Sequence, residues 1–301
     1  MECDHETLTD LNRAIEQNPD DTRAIAQRGE AYRQIEHFEA ALADFDRAIE
    51  LNPYYAWAIA HRGETYYQLK RYEEALDDFN RAIELKPDYT WAIAHRGVTY
   101  ERIERFEEAL TDLNHAIKLN PTYAWAIAYR CRTYEMMRRY EEALVNFDQA
   151  IALDPTIMKE SLTERGLMLS FLGRYAEAME DYERALKETP NNHFTWYCIA
   201  FTKVRWKGLE ETQLDIDKAR ALLQSPDNQS PRSAVLYELG GLAALEGKID
   251  EALNYLQEAI SLDYMPRRRT LHDLAWLDLY SNPRFQALIG EHPFKSQQYA
   301  K

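Results

Sequence analysis

The sequence predicts an all-α solenoid of helix–turn–helix repeats closed by a C-terminal capping helix. Three observations carry that prediction. Pro19, Pro53, Pro87, Pro121 and Pro155 stand 34 residues apart, a period that marks helical repeat arrays. The text between them recurs: AWAIAHRGETYYQLKRYEEALDDFNRAIELKPDY is followed by TWAIAHRGVTYERIERFEEALTDLNHAIKLNPTY and AWAIAYRCRTYEMMRRYEEALVNFDQAIALDPTI. Within each period, apolar residues recur at helical spacing on two successive stripes.

The unit Thr22–Pro53 shows how each repeat is built. Ile25, Gly29 and Tyr32 share one helical face, the pattern breaks at Glu36 and His37, and Phe38, Ala41, Leu42, Phe45, Ala48 and Ile49 form a second stripe. The second helix ends at Leu-Asn-Pro, because proline disfavours helix in the residue before it. Gly29, Ala41 and Ala48 let the two helices approach, and Tyr32 and Phe45 fill the gaps. The next unit holds Gly63, Tyr66, Ala75, Phe79 and Ala82 in these slots; the third holds Gly97, Tyr100, Ala109, Leu113 and Ala116.

Residues 1–19 read as a second helix with no first helix before it, a half-repeat that marks either an unusual cap or a piece of a longer protein. Residues 20–190 read as five regular units and 191–264 as two divergent ones. Residues 265–301 read as a helical cap, with Leu274, Leu277, Phe285, Leu288 and Ile289 covering the last open face, as a solenoid requires for solubility.

The Gly-x-x-Tyr, Ala, Phe, Ala, Pro pattern resembles the tetratricopeptide repeat (TPR), and NPRFQALI is similar to the closing segment of many bacterial members. The usual Trp slot holds Ile25, Ile59, Ile93 and Ile127; the usual Leu slot holds Arg28, Arg62, Arg96 and Arg130. The resemblance implies a right-handed superhelix whose first helices line a concave groove that binds a protein or peptide. On that face fall Trp57, His61, Trp91, His95, Trp125, Tyr129 and Arg132, and a second, more apolar patch at Phe194, Tyr197 and Phe201. Aromatic and Arg anchors are what interfaces favour. Members that clamp a terminal carboxylate use Lys and Asn, whereas the matching slots here hold Ala26 with Glu30 and Ala60 with Glu64, which argues against that clamp.

Two readings stay open for Trp57, Trp91 and Trp125: a recognition ladder for an extended peptide, or packing beside Tyr55, Tyr89 and Tyr123 at the joints between units. His61 and His95 share one slot a repeat apart, about 10 Å by helix packing distance, too far for one zinc. Arg28, Arg62 and Arg96 are expected to pair with Asp44, Asp78 and Asp112 of the same unit, bidentate where geometry allows; the fourth unit has Asn146 for Asp and Cys131 for Gly.

Composition sets the exclusions. A formal net charge of −15 disfavours nucleic acid and an anionic membrane as partners. The basic runs Lys203–Lys207 and Pro266–Thr270 read as solvated turns. Cys3, Cys131 and Cys198 form no disulfide or metal pattern, and residues 1–20 are no secretory signal, so a cytoplasmic location is expected. No phosphate loop, nucleophile elbow or His-Glu-x-x-His appears, so no enzyme activity and no cofactor are expected. The function expected is a non-enzymatic protein- or peptide-binding scaffold or adaptor. The alternative is a sensor or regulatory arm that controls an effector protein or domain, and self-association through the half-repeat is a third reading.

Overall fold

A computed structural model describes residues 2–156, 161–262 and 273–290, with side chains from residue 7 onward. Among these residues there is no strand. Pro266–Thr270 and the Cys3 side chain lie outside the described set. The chain divides into two compact units, 1–157 and 158–301.

The first unit is a run of helices: α1 (Glu2–Gln17), α2 (Thr22–Gln34), α3 (Phe38–Leu51), α4 (Ala56–Gln68), α5 (Tyr72–Leu85), α6 (Thr90–Arg102), α7 (Phe106–Leu119), α8 (Ala124–Met136) and α9 (Tyr140–Leu153). Pairs α2–α3, α4–α5, α6–α7 and α8–α9 pack as hairpins, and each pair stacks on the next. Successive first helices pack on one another more closely than successive second helices, so this stack curves with α2, α4, α6 and α8 inside. A Cβ on Gly63 would sit 3.1 Å from Asp78 Cβ and 3.3 Å from the Ala75 carbonyl oxygen, so glycine sets the approach of α4 to α5.

Two local devices end the helices. Asn52, Lys86, Asn120 and Asp154 each precede a repeat proline and adopt φ between −136° and −145°, the extended backbone that proline imposes. At the other turn Glu36, Lys70, Glu104 and Arg138 take φ of 59° to 65°. There Arg71 N donates to Tyr66 O and Lys70 N to Tyr67 O, the paired bonds of a Schellman close.

Each unit is also tied by its arginine. Arg28, Arg62 and Arg96 each pair both oxygens of Asp44, Asp78 and Asp112 at 2.6–2.8 Å. A further nitrogen reaches back to the preceding second helix, at Asn12, Asp46 and Asn80 respectively. Thus α1 supplies for α2 what α3 supplies for α4. Arg130 meets Asn146 through one bond at 2.6 Å and Asn114 at 2.7 Å.

The second unit holds α10 (Leu162–Phe171), α11 (Tyr175–Glu188), α12 (His193–Lys207), α13 (Gln213–Leu223), α14 (Arg232–Leu245), α15 (Ile249–Ser261) and α16 (Pro283–Ile289), with 3₁₀ turns at Glu210–Thr212 and Leu274–Leu279. Leu274, Phe285 and Ile289 are buried as expected of a cap, but its centre is Trp276, fully buried between Tyr237 and Phe285 at centroid distances of 5.5 and 5.7 Å. A Cβ on Gly240 would lie 2.7 Å from that indole, so the small residue there makes room for the cap. Asp273 fastens the segment: Tyr197 and Tyr237 donate to its Oδ2 at 2.8 and 3.0 Å, and Ala275 N donates to Oδ1.

Candidate functional site

Three of the four first helices of the N-terminal unit carry a tryptophan and a second ring one turn later: Trp57 and His61 on α4, Trp91 and His95 on α6, Trp125 and Tyr129 on α8. Residues four apart share a helix face, and the 34-residue period sets each pair beside the next. The six rings form one continuous row, stacked from His61 to Trp125 and tilted at its two ends. Consecutive centroids from Trp57 to Tyr129 lie 4.0, 4.7, 3.8, 4.5 and 4.3 Å apart. Each histidine lies nearly parallel to the tryptophan of the following unit, at 13° and 14°. The tryptophans also pack on Tyr55, Tyr89 and Tyr123 at 5.8–6.1 Å. The joint-packing geometry is therefore present, and the three indoles remain half-buried on the inner face.

The histidines are not solvated. Both side chains are 13% exposed, and Trp91 lies between them. Among the described residues no group of His, Cys, Asp and Glu is placed to hold a metal. His61 Nδ1 contacts Glu30 Oε2 at 3.0 Å, and Arg33 closes on the same carboxylate through Nε at 2.8 Å. Burial opposes the charge on Glu30, but the bonds from His61 and Arg33 outweigh it and hold the carboxyl at about 2.

One repeat on, the arrangement changes. The slot of Arg33 is occupied by Tyr67, whose hydroxyl accepts from Arg102 Nε at 2.9 Å. His95 Nδ1 donates to the Trp91 carbonyl at 2.9 Å, which leaves Nε2 as a lone-pair acceptor 3.8 Å from Glu64 Oε2. Burial pushes His95 down to about 3, so its ring is neutral. Glu64 Oε2 is buried and has no hydrogen-bond partner, and Oε1 meets only Gln68 at 3.4 Å. Burial, reinforced by Glu30 and opposed by Arg33, pushes Glu64 up to about 7. This carboxyl sits at a pocket of about 210 Å³ bounded by Glu64, Tyr67, His95, Val98, Trp125 and Tyr129.

Arg132 continues the face. Its Nη2 contacts Glu101 Oε2 at 2.6 Å, and its guanidinium lies 4.8 Å from the Tyr129 ring centroid. In the second patch Tyr197 and Phe201 are each only 1% exposed, and the Tyr197 hydroxyl is engaged by Asp273. Phe194 stays half-buried. Sequence reading missed Arg33, Tyr67, Glu101 and Trp276. A signal existed for Glu101: first-helix partners recur 31 residues apart, as in His61–Glu30, His95–Glu64 and Arg132–Glu101.

Comparison with known proteins gives consistent family matches. Models described as "Tetratricopeptide repeat" match residues 56–89, 160–192, and both 92–123 and 233–264, and one described as "TPR repeat" matches 29–70. Together they span more than half of the chain. Among solved structures, a tetratricopeptide repeat protein from Parabacteroides merdae is 17% identical, with 84% of this chain and 98% of that one covered at a TM-score of 0.65. The APC/C hetero-tetramer Cut9–Hcn1 is 13% identical over 75% of this chain and 44% of that one, at a TM-score of 0.59. The MamA protein is 20% identical over 62% and 96%, at 0.50. At these identities the likeness is one of fold. Comparison with curated proteins yields no match. No helix among the described residues is long and apolar enough to cross a membrane.

Proposed function

The chain belongs to the tetratricopeptide repeat family, and on that premise we propose that it is a non-enzymatic scaffold that binds an extended segment of a partner protein. The segment lies along the inner face of α2, α4, α6 and α8. The observation that carries this reading is the unbroken row of ring contacts from Trp57 to Tyr129. Stacked rings that already hold their rotamers lose little freedom when a ligand arrives, so the ordering cost falls on the ligand alone. Tyr129 and Arg132 supply the type of anchor that dominates interface energetics. With a net charge of −15, the scaffold attracts basic segments and is compatible with neutral ones.

The test is selection from a displayed random-peptide library, followed by hydrogen exchange on the bound complex. A bound peptide is expected to slow exchange in α4, α6 and α8 and leave α5 and α7 unchanged. Protection confined to the second helices, or failure to select any peptide, would overturn the reading.

A further inference from the structure

The carboxylates Glu30 and Glu64 occupy the same slot in successive units, yet only one is satisfied. Glu30 receives a guanidinium from Arg33 and a ring nitrogen from His61. Glu64 has lost both: tyrosine stands where the arginine would be, and His95 turns its N–H to the Trp91 carbonyl. What remains is two acceptors, Glu64 Oε2 and His95 Nε2, facing each other at 3.8 Å with no donor between them. A buried carboxylate without a partner is costly, and here the space beside it is open and ringed by Tyr67, Trp125 and Tyr129.

We propose that this pocket takes an arginine side chain of the bound polypeptide, its guanidinium pairing with Glu64 as Arg33 pairs with Glu30. The proposal rests on the groove reading above and deepens it. The chemistry is matched on three counts. A guanidinium supplies only donors, and the pocket floor offers only acceptors. A guanidinium is also more weakly hydrated than an ammonium, which suits a site with aromatic walls. The chain's own neighbouring cations are already engaged: Arg33 with Glu30, Arg102 with Tyr67 and Arg132 with Glu101. A cation that pairs with ionised Glu64 therefore comes from outside.

The probe is N-acetyl-arginine methylamide, titrated into the full chain at pH 8, where Glu64 is ionised, and read by NMR at the Trp125 indole N–H. The citrulline amide, of equal shape without charge, and the lysine amide serve as comparisons. The arginine amide is expected to saturate with a Kd of about 1–10 mM, as suits so small a ligand. The citrulline amide and the Glu64→Gln variant should each bind at least about tenfold more weakly. Tyr67→Arg, which restores the internal arginine of the preceding unit, should abolish binding. Equal binding by the citrulline or lysine amide, or undiminished binding by Glu64→Gln, would overturn the proposal. Because the probe is a single residue, the titration reads the pocket without any partner. If the probe fails while library peptides still protect the first helices, the pocket is wrong and the groove stands. If it binds while no peptide is selected, the pocket chemistry holds and the groove reading fails.

Discussion

Arg62 holds Asp78 with two parallel hydrogen bonds, Nε to Oδ2 at 2.8 Å and Nη2 to Oδ1 at 2.6 Å, and reaches back through Nη1 to Asp46 at 2.7 Å. One guanidinium therefore joins both helices of its own unit and the second helix of the unit before. Its worth shows in what a deletion would leave behind.

Asp78→Ala removes both parallel bonds from a largely buried guanidinium and leaves it only the more exposed Asp46, which should cost about 2–3 kcal/mol. Asp78→Asn should cost about 1 kcal/mol, since Arg130 already works with Asn146. Conversely, Asn146→Asp gives Arg130, whose charge burial disfavours, a true counter-ion and should raise stability. Urea midpoints of the three variants check the order. Equal losses for Asp78→Ala and Asp78→Asn would show that the charge is irrelevant there.

Glu64 makes stability depend on pH in an unusual direction. Its carboxyl, buried beside Glu30 with Arg33 as the nearest opposing charge and a neutral His95 across from it, is pushed up to about 7 in the fold. The folded state then holds a proton that the unfolded chain gives up above about 4.5, so this group's contribution falls as pH rises between those values. Glu64→Gln should therefore stabilise the protein by on the order of 2 kcal/mol at pH 8 and by little at pH 4. Thermal melts at the two pH values measure it. Glu30 has the opposite sign: held at about 2, it loses its stabilising effect as pH falls from about 4.5.

The left-handed turns give a third expectation. Lys70 sits at φ 60° where the second unit has Gly173 and Gly247, both at 73°. Lys70→Gly removes the steric strain of a side chain in that region and should stabilise by about 0.5–1 kcal/mol. Gly173→Ala should destabilise by about 1 kcal/mol, since no neighbouring atom blocks the new methyl and only the backbone objects. Opposite shifts in the melting temperatures are the result to look for.

Trp276→Ala empties the centre of the C-terminal packing and should cost about 3–5 kcal/mol there. Repeat proteins respond locally, since each unit leans on its neighbours. Hydrogen exchange should quicken in α14, α15 and α16 while α4 and α6 are unchanged. A uniform loss of protection along the chain would contradict that.

Everything that repeats within one period is legible along the chain. The helix pairs, the extended residue before each proline, the small residues at the close approach and the Arg28–Asp44 class of pair all lie within 34 residues. They are fixed by local sterics and by one hairpin's geometry. The remainder depends on neighbours from other units. The interleaving of His61 between Trp57 and Trp91 requires the register between stacked hairpins. The isolation of Glu64 follows from which way His95 turns and from a tyrosine in Arg33's slot. The partner of the buried Tyr197 hydroxyl is Asp273, 76 residues further along the chain. Periodicity reports which face of a helix is apolar; what finally covers that face is settled by packing between segments distant in the chain, and a pattern read along the sequence carries no term for that.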